Sequence, residues 1–154
     1  MATQWTAGTT PGQVLTAATL NTIGAAWNTW TPALTAQTVN PTLGTGSSQT
    51  GRWGQVNKIV TGQAKIKFGT AGTAAGTGYY LVSLPTAAQA ATGGPCGTVY
   101  MTDGGANARV GVLIFFTTTT CTIRYDAGAL VTNAAPWAWG ANGEINYSFT
   151  YEAA

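Results

Sequence analysis

The sequence predicts an all-β fold: an antiparallel β-sandwich of jelly-roll-like form, preceded by an extended N-terminal arm and one short helix. Short segments in which apolar and polar residues alternate predict the strands, and Gly-, Pro- and Asn-rich turns separate them. No helical pattern lies between the strands, which argues against a parallel α/β sheet. We therefore divide the 154 residues into an arm-and-helix segment, residues 1–30, and a β-sandwich domain, residues 31–154.

The N-terminal segment starts without periodicity, and we interpret that start as an extended arm. A short helix is predicted to follow, with Thr16 as its N-cap and Leu15 packing on Leu20 as a hydrophobic staple. Leu20, Ile23 and Trp27 lie three and four residues apart and form one apolar stripe. A helix of about three turns is not stable alone in water. We therefore expect this stripe to serve attachment or oligomerisation.

The β-domain is predicted to contain about seven or eight short strands. The clearest segments are 51–56, 59–69, 77–85, 97–102, 109–116, 119–125 and 144–152. Two hairpins stand out, one turning near Asn57 and Lys58 and the other around residues 117–119. The last strand alternates most regularly, with Ile145, Tyr147, Phe149 and Tyr151 on one face. We expect residues 126–143 to be irregular.

Charged side chains are scarce: they make up 6% of the residues, and the net charge is +2 with no histidine. The neutral surface this implies can pack against copies of itself with little charge desolvation. Compositional drift in a GC-rich genome would give the same bias. The six cations form no run, so we expect no nucleic-acid partner. No apolar run is long enough to span a membrane, so we expect no membrane insertion.

The sequence offers few residues for catalysis. Without histidine, Ser-His-Asp and Cys-His arrangements are excluded. Among the four carboxylates, Asp126 and Glu144 are the one pair we would consider as the acid and base of a glycosidase. No nucleotide-binding motif lies in a strand-turn-helix context, and no metal-ligand cluster is evident. We expect no enzymatic activity, no cofactor and no metal.

Two cysteines, Cys96 and Cys121, lack the CxxC spacing of metal and redox motifs. We expect a buried free thiol at Cys121, in its strand-like run. A disulfide and an exposed thiol are the alternatives.

Two tryptophans, Trp137 and Trp139, lie two residues apart in the sequence PWAWG. In an extended chain both rings would point to the same side. If exposed, they would form a platform for a receptor or saccharide. The alternative is that they plug one end of the core or a subunit interface.

The segment TPGQVLTAATLN, residues 10–21, resembles the opening of many bacteriophage tail-fibre and minor structural proteins. The stretches WTPALTA, NPTLGTG, GRWGQVNKIVTGQAKIKFG and GTGYYLVSLP, and the final YEAA, resemble a β-rich module in virion proteins of phages that infect actinobacteria. These matches cover most of the chain, and residues 87–142 match least. The resemblance implies a non-enzymatic virion protein, a homotrimer with its helix near the attachment end and its β-domain outward.

Together these features predict a homotrimeric surface protein of a phage virion, assembled in the host cytoplasm. We favour the tail, where the protein would bind the host envelope as part of a fibre or tip, with envelope saccharides as possible receptors. The alternative is a capsid decoration or head-fibre protein, anchored to the shell by the arm and helix. Its partners would be its own copies and either tail proteins or the major capsid protein. A cellular carbohydrate-binding module unrelated to virions is the third hypothesis.

Overall fold

A computed structural model describes residues 26–91 and 93–154, and this part of the chain is all-β and antiparallel. The strands are β1 Asn28–Trp30, β2 Leu34–Ala36, β3 Ser48–Val56, β4 Ile59–Lys67, β5 Tyr80–Ser83, β6 Pro95–Thr102, β7 Ala108–Phe115, β8 Thr120–Tyr125, β9 Ala129–Leu130 and β10 Glu144–Glu152. A single 3-10 turn, Asp126–Gly128, joins β8 to β9. Within the described residues, no helix has the length and apolar character needed to cross a membrane. The predicted all-β antiparallel class is confirmed.

The strands form one sheet in the order β1-β3-β4-β10-β6-β7-β8-β5-β2, with β9 pairing β8 at the side. The predicted β-sandwich is not confirmed, because these strands lie in a single continuous sheet. Laid flat, nine strands would place the outer two about 38 Å apart. Yet β1 and β2 are joined by residues 31–33 alone, and such a connection spans at most about 14 Å. The sheet must therefore curl until its two edges approach each other.

The connection between β1 and β2 is hydrogen-bonded to both ends of the curled sheet. Pro32 is fully buried, and its carbonyl accepts a hydrogen bond of 2.9 Å from the side-chain amide of Gln49 in β3. The backbone N–H of Ala33 donates to the Ser83 hydroxyl at 2.9 Å, and its carbonyl accepts from the Ser83 N–H at 3.0 Å. These bonds hold the two ends of the curled sheet against the connection, since β3 and β5 lie on opposite sides of it. We call this junction the seam.

Trp30 fills the interior side of this seam. Its ring packs edge-on against Phe149 and Tyr147, with centroids 5.6 Å and 6.5 Å away. Gly51 lies directly under the ring, where a Cβ atom would overlap the indole. The absent side chain at Gly51 is therefore what lets β1 lie close enough to β3 for its tryptophan to reach the core.

Strand β10 lies inside the sheet, because it pairs with β4 along its whole length and with β6 along most of it. Its apolar face is buried as predicted and includes Ile145, Tyr147, Phe149 and Tyr151. Both predicted hairpins are confirmed, β3–β4 and β7–β8. In the first, Asn57 has a φ of 51°, which an asparagine tolerates in a tight turn.

The N-terminal helix falls almost wholly outside the described residues, and so do Leu15, Leu20 and Ile23. Trp27 is described, and the helical prediction is wrong at this residue because it directly precedes β1. Trp27 is 53% exposed, and its ring lies under the Arg52 guanidinium, with 5.4 Å between the guanidinium carbon and the ring centroid. Pairing of β1 with residues 51–53 of β3 outweighs the helical spacing here. Strand β1 lies within the segment that we assigned to the arm and helix.

Candidate functional site

Trp139 lies in the core and not on a surface platform. It is 5% exposed, and its ring stacks on Phe68 with centroids 5.9 Å apart and contacts Tyr80 at 5.7 Å. Trp137 is half-buried and packs against Trp139, with ring centroids 5.5 Å apart. The alternative that we stated, in which the pair plugs one end of the core, describes this arrangement. Trp139 is therefore out of reach of a receptor or saccharide.

The candidate acid and base, Asp126 and Glu144, are each paired with cations. Asp126 lies 3.7 Å from the Nε of Arg109, and Glu144 accepts a 2.8 Å ion-pair hydrogen bond from the Nζ of Lys65. Lys67 Nζ lies 3.6 Å from the other carboxylate oxygen of Glu144. The hydrogen bond from Lys65 lowers the pKa of Glu144 below its usual value. A general acid needs a raised pKa, so this environment suits Glu144 to a structural ion pair.

The lowered pKa of Glu144 makes stability depend on pH. Its contribution is present above the pKa of an unfolded glutamate, about 4.3, and is lost as the pH falls through the lower pKa of the folded state. We expect the free energy of unfolding to fall more steeply between about pH 5 and pH 3 in the wild type than in Glu144→Gln. Urea titrations of both proteins at several pH values measure this difference. Equal slopes would show that the ion pair contributes nothing.

A shallow groove of about 550 Å³ crosses the outer face of the sheet, over β3, β4, β10 and β6. The strand register sets its side chains in two parallel rows. The first row contains Arg52, Gln63, Ser148 and Thr98, and the second contains Thr50, Lys65, Asn146 and Tyr100. Val110 of β7 closes one end. We call this surface the outer groove.

Six of the eight side chains in these two rows carry a hydroxyl or an amide, and none of the residues that line the groove is acidic. The hydroxyls of Thr98 and Ser148 lie 3.0 Å apart. Tyr100 is 49% exposed and presents a large ring at the same surface. Glu144 neutralises Lys65, whereas the Arg52 guanidinium lies over the ring of Trp27. The groove can therefore offer neutral hydrogen-bonding groups, one aromatic surface and one cation to a ligand.

The residues of the outer groove were missed as a site by sequence reasoning. The alternation in β4 does place Lys65 outward, and that in β10 places Asn146 and Ser148 outward. What the sequence lacks is the order of the strands. Only the insertion of β10 between β4 and β6 brings these side chains next to Tyr100.

No protein-family model matches the chain, and neither the curated proteins nor the solved structures include a significant match. Within residues 26–91 and 93–154, no group of three or more His, Cys, Asp and Glu side chains comes together as a metal site would require.

Proposed function

We propose that the protein is a structural protein of a bacteriophage virion, a homotrimeric surface appendage that binds saccharides of the host envelope through the outer groove. The observation that carries the proposal is the groove itself. Its volume of about 550 Å³ lies within the range of small-ligand sites, roughly 300–1,000 Å³. Its chemistry is that of a surface for polyhydroxylated ligands.

Saccharide recognition combines hydrogen bonds to hydroxyl groups with contact between a sugar ring and an aromatic side chain. The outer groove supplies both. Gln63 and Asn146 present amides, which donate and accept at once, and Thr98 and Ser148 add hydroxyls. Tyr100 provides the aromatic surface, and Arg52 can hold an acidic substituent of the saccharide.

The placement on a virion is supported by the resemblance of residues 10–21 and of the β-domain segments to phage structural proteins. We favour the tail because the outer groove provides a binding surface, which a tail fibre or tip needs. The alternative is a capsid decoration or head-fibre protein. Few charges suit either position, because subunit contacts then bury little charge.

The proposed trimer is tested by the mass of the purified protein in solution, measured by light scattering. We expect a mass equal to that of three chains. A stable monomer would contradict the trimer and the packing proposed for Leu20, Ile23 and Trp27.

Binding is tested with fluorescently labelled wild-type protein and intact actinobacterial cells. We expect Gln63→Ala combined with Tyr100→Ala to lower the affinity for cells at least about tenfold, because the variant loses an amide and the aromatic surface together. Both side chains are exposed, so the melting temperature should stay within a few degrees of the wild type. Soluble saccharides released from the same cells should compete with binding.

Arg52→Ala is a second test variant, and Arg124→Ala is its matched control. Both arginines are exposed on the outer face of the sheet. Arg52 lines the groove, while Arg124 lies outside it and donates to the Gly128 carbonyl at 2.8 Å. Only Arg52→Ala should weaken binding. If the folded wild type binds no cells, host recognition at the tail is excluded. If it binds and all variants bind equally, the receptor surface lies elsewhere.

Tail and capsid are distinguished by imaging a labelled antibody on intact particles. Label at the tail supports the favoured position, and label over the head supports decoration. Deletion of residues 1–24 should abolish incorporation into particles in both cases, because the arm and helix are the proposed anchor. Particles that still incorporate the truncated protein would exclude this anchoring role.

A further inference from the structure

The two cysteines meet inside the curl of the sheet, although β7 lies between their strands. Cys96 is in β6 and Cys121 is in β8, and their Sγ atoms are 3.2 Å apart. Both are buried, with 6% and 0% of their surface exposed. The pairing of β6 with β7 shifts register between Pro95 and Gly97, which places Cys96 at an irregularity where the backbone leaves the regular ladder. The sulfur atoms are thus in contact across an intervening strand.

We propose that Cys96 and Cys121 form a covalent modification site. Exchange with a low-molecular-weight disulfide such as oxidised glutathione would join them in a disulfide bond that cross-links β6 to β8. A disulfide bond is about 2.05 Å long, so the two sulfurs must approach each other by a further ångström or so. The irregular backbone around Cys96 is the place where the sheet can supply this movement.

Cys96 is the thiol that an oxidant reaches first. It lines a surface depression of about 360 Å³, together with Gly62, Gly97 and Phe149. Cys121 has no exposed surface and is not among the lining residues. A small disulfide can therefore approach Cys96, whereas Cys121 is reachable only through Cys96.

The hydrogen bond between the thiols assigns the same roles. The bond from Cys121 lowers the pKa of Cys96, and the same contact together with burial raises the pKa of Cys121. The thiolate is the attacking species in thiol–disulfide exchange. Cys96 is therefore the first nucleophile, and Cys121 is the resolving thiol.

The exchange proceeds in two steps. The Cys96 thiolate attacks one sulfur of oxidised glutathione, its S–S bond breaks, and one glutathione leaves as a thiolate and takes up a proton. Cys121 then loses its proton and attacks the Cys96 sulfur, so the mixed disulfide breaks and the second glutathione leaves in the same way. The protein is oxidised by two electrons, and one oxidised glutathione becomes two reduced molecules.

The cross-link would stabilise the fold because it joins residues 25 positions apart in the chain and so restricts the unfolded state. For a loop of this length in a chain of this size, we expect the melting temperature to rise by roughly 10 °C. Reduction should reverse the rise.

The test uses the full-length wild-type protein, purified under reducing conditions and then incubated folded with oxidised glutathione. Denaturation in an alkylating reagent, followed by intact-mass measurement, counts the free thiols. We expect two alkylated cysteines before oxidation and none afterwards. The oxidised protein should be lighter than the reduced, unalkylated protein by two hydrogen atoms, and its digest should contain a peptide linking Cys96 to Cys121. A parallel sample is refolded from denaturant in a mixture of reduced and oxidised glutathione.

Cys121→Ala should stop at the mixed disulfide and retain one glutathione on Cys96, whereas Cys96→Ala should react far more slowly. If the refolded wild type keeps two free thiols and its native circular dichroism spectrum, the cross-link does not form and the proposal fails. If cross-linking occurs only on refolding, the pair is correct but the route through the depression is wrong. If Cys121→Ala does not fold, the wild-type peptide map alone decides.

Discussion

Replacing Trp139 with alanine is expected to lower the free energy of unfolding by about 3–5 kcal/mol, the usual cost of removing a buried aromatic side chain. Trp139 is 5% exposed, and its ring contacts those of Phe68 and Tyr80. Phe68 directly follows β4, and Tyr80 lies in β5. Alanine would leave a cavity that these two side chains can fill only in part. Urea unfolding followed by far-UV circular dichroism measures the loss.

Trp137→Ala is the matched control, because Trp137 has the same side chain two residues away and is only half-buried. We expect a smaller loss of stability and no change in saccharide binding. A Trp139→Ala protein as stable as the wild type would contradict the placement of this ring in the core. Loss of binding in Trp137→Ala without loss of stability would return the receptor site to the position first predicted for the tryptophan pair.

The second large effect is expected at Gly97, where alanine should cost about 3 kcal/mol by overpacking. A Cβ atom there would overlap the backbone carbonyl of Ser148 and lie 3.0 Å from the Cα of Phe149. Both atoms belong to the backbone of β10, which is paired on both sides, so neither can rotate away. The loss is measured by urea unfolding and should appear with correct overall secondary structure.

Gly140→Ala provides the control for Gly97→Ala. A Cβ atom at Gly140 meets nothing within 4 Å, and its φ lies outside the left-handed region. Stability should therefore change by at most about 0.5 kcal/mol. If both alanines have the same small effect, β6 and β10 are not packed as closely as described.

The strands that sequence reasoning located are those whose signal is local. Strand β10 alternates over its full length, and the two hairpins combine alternation with a turn, so each could be recognised without its neighbours. Strands β1 and β2 have three residues each and carry no periodic signal of their own. They are strands because β3 and β5 pair with them, and that pairing is a long-range property that propensity does not encode.

The candidate site also combines features that local alternation predicts with features that depend on long-range strand pairing. The outward position of Lys65, and of Asn146 and Ser148, follows from alternation within single strands. The outer groove requires four strands in a particular lateral order, and β10 enters between β4 and β6 from more than 40 residues away in the chain. The tryptophan pair was recognised by composition, but whether its rings face solvent depends on Phe68 and Tyr80, which lie far from it in sequence.

The position of β10 between β4 and β6 also sets the order of events during protein synthesis. Strands β4 and β6 both take their partner from residues 144–152, so neither has both its neighbours until the ribosome has released that segment. Before then the nascent chain exposes two strand edges in the middle of its future sheet, and such edges invite pairing with other chains. The few local hairpins can form early, while closure of the sheet is a late and slow event.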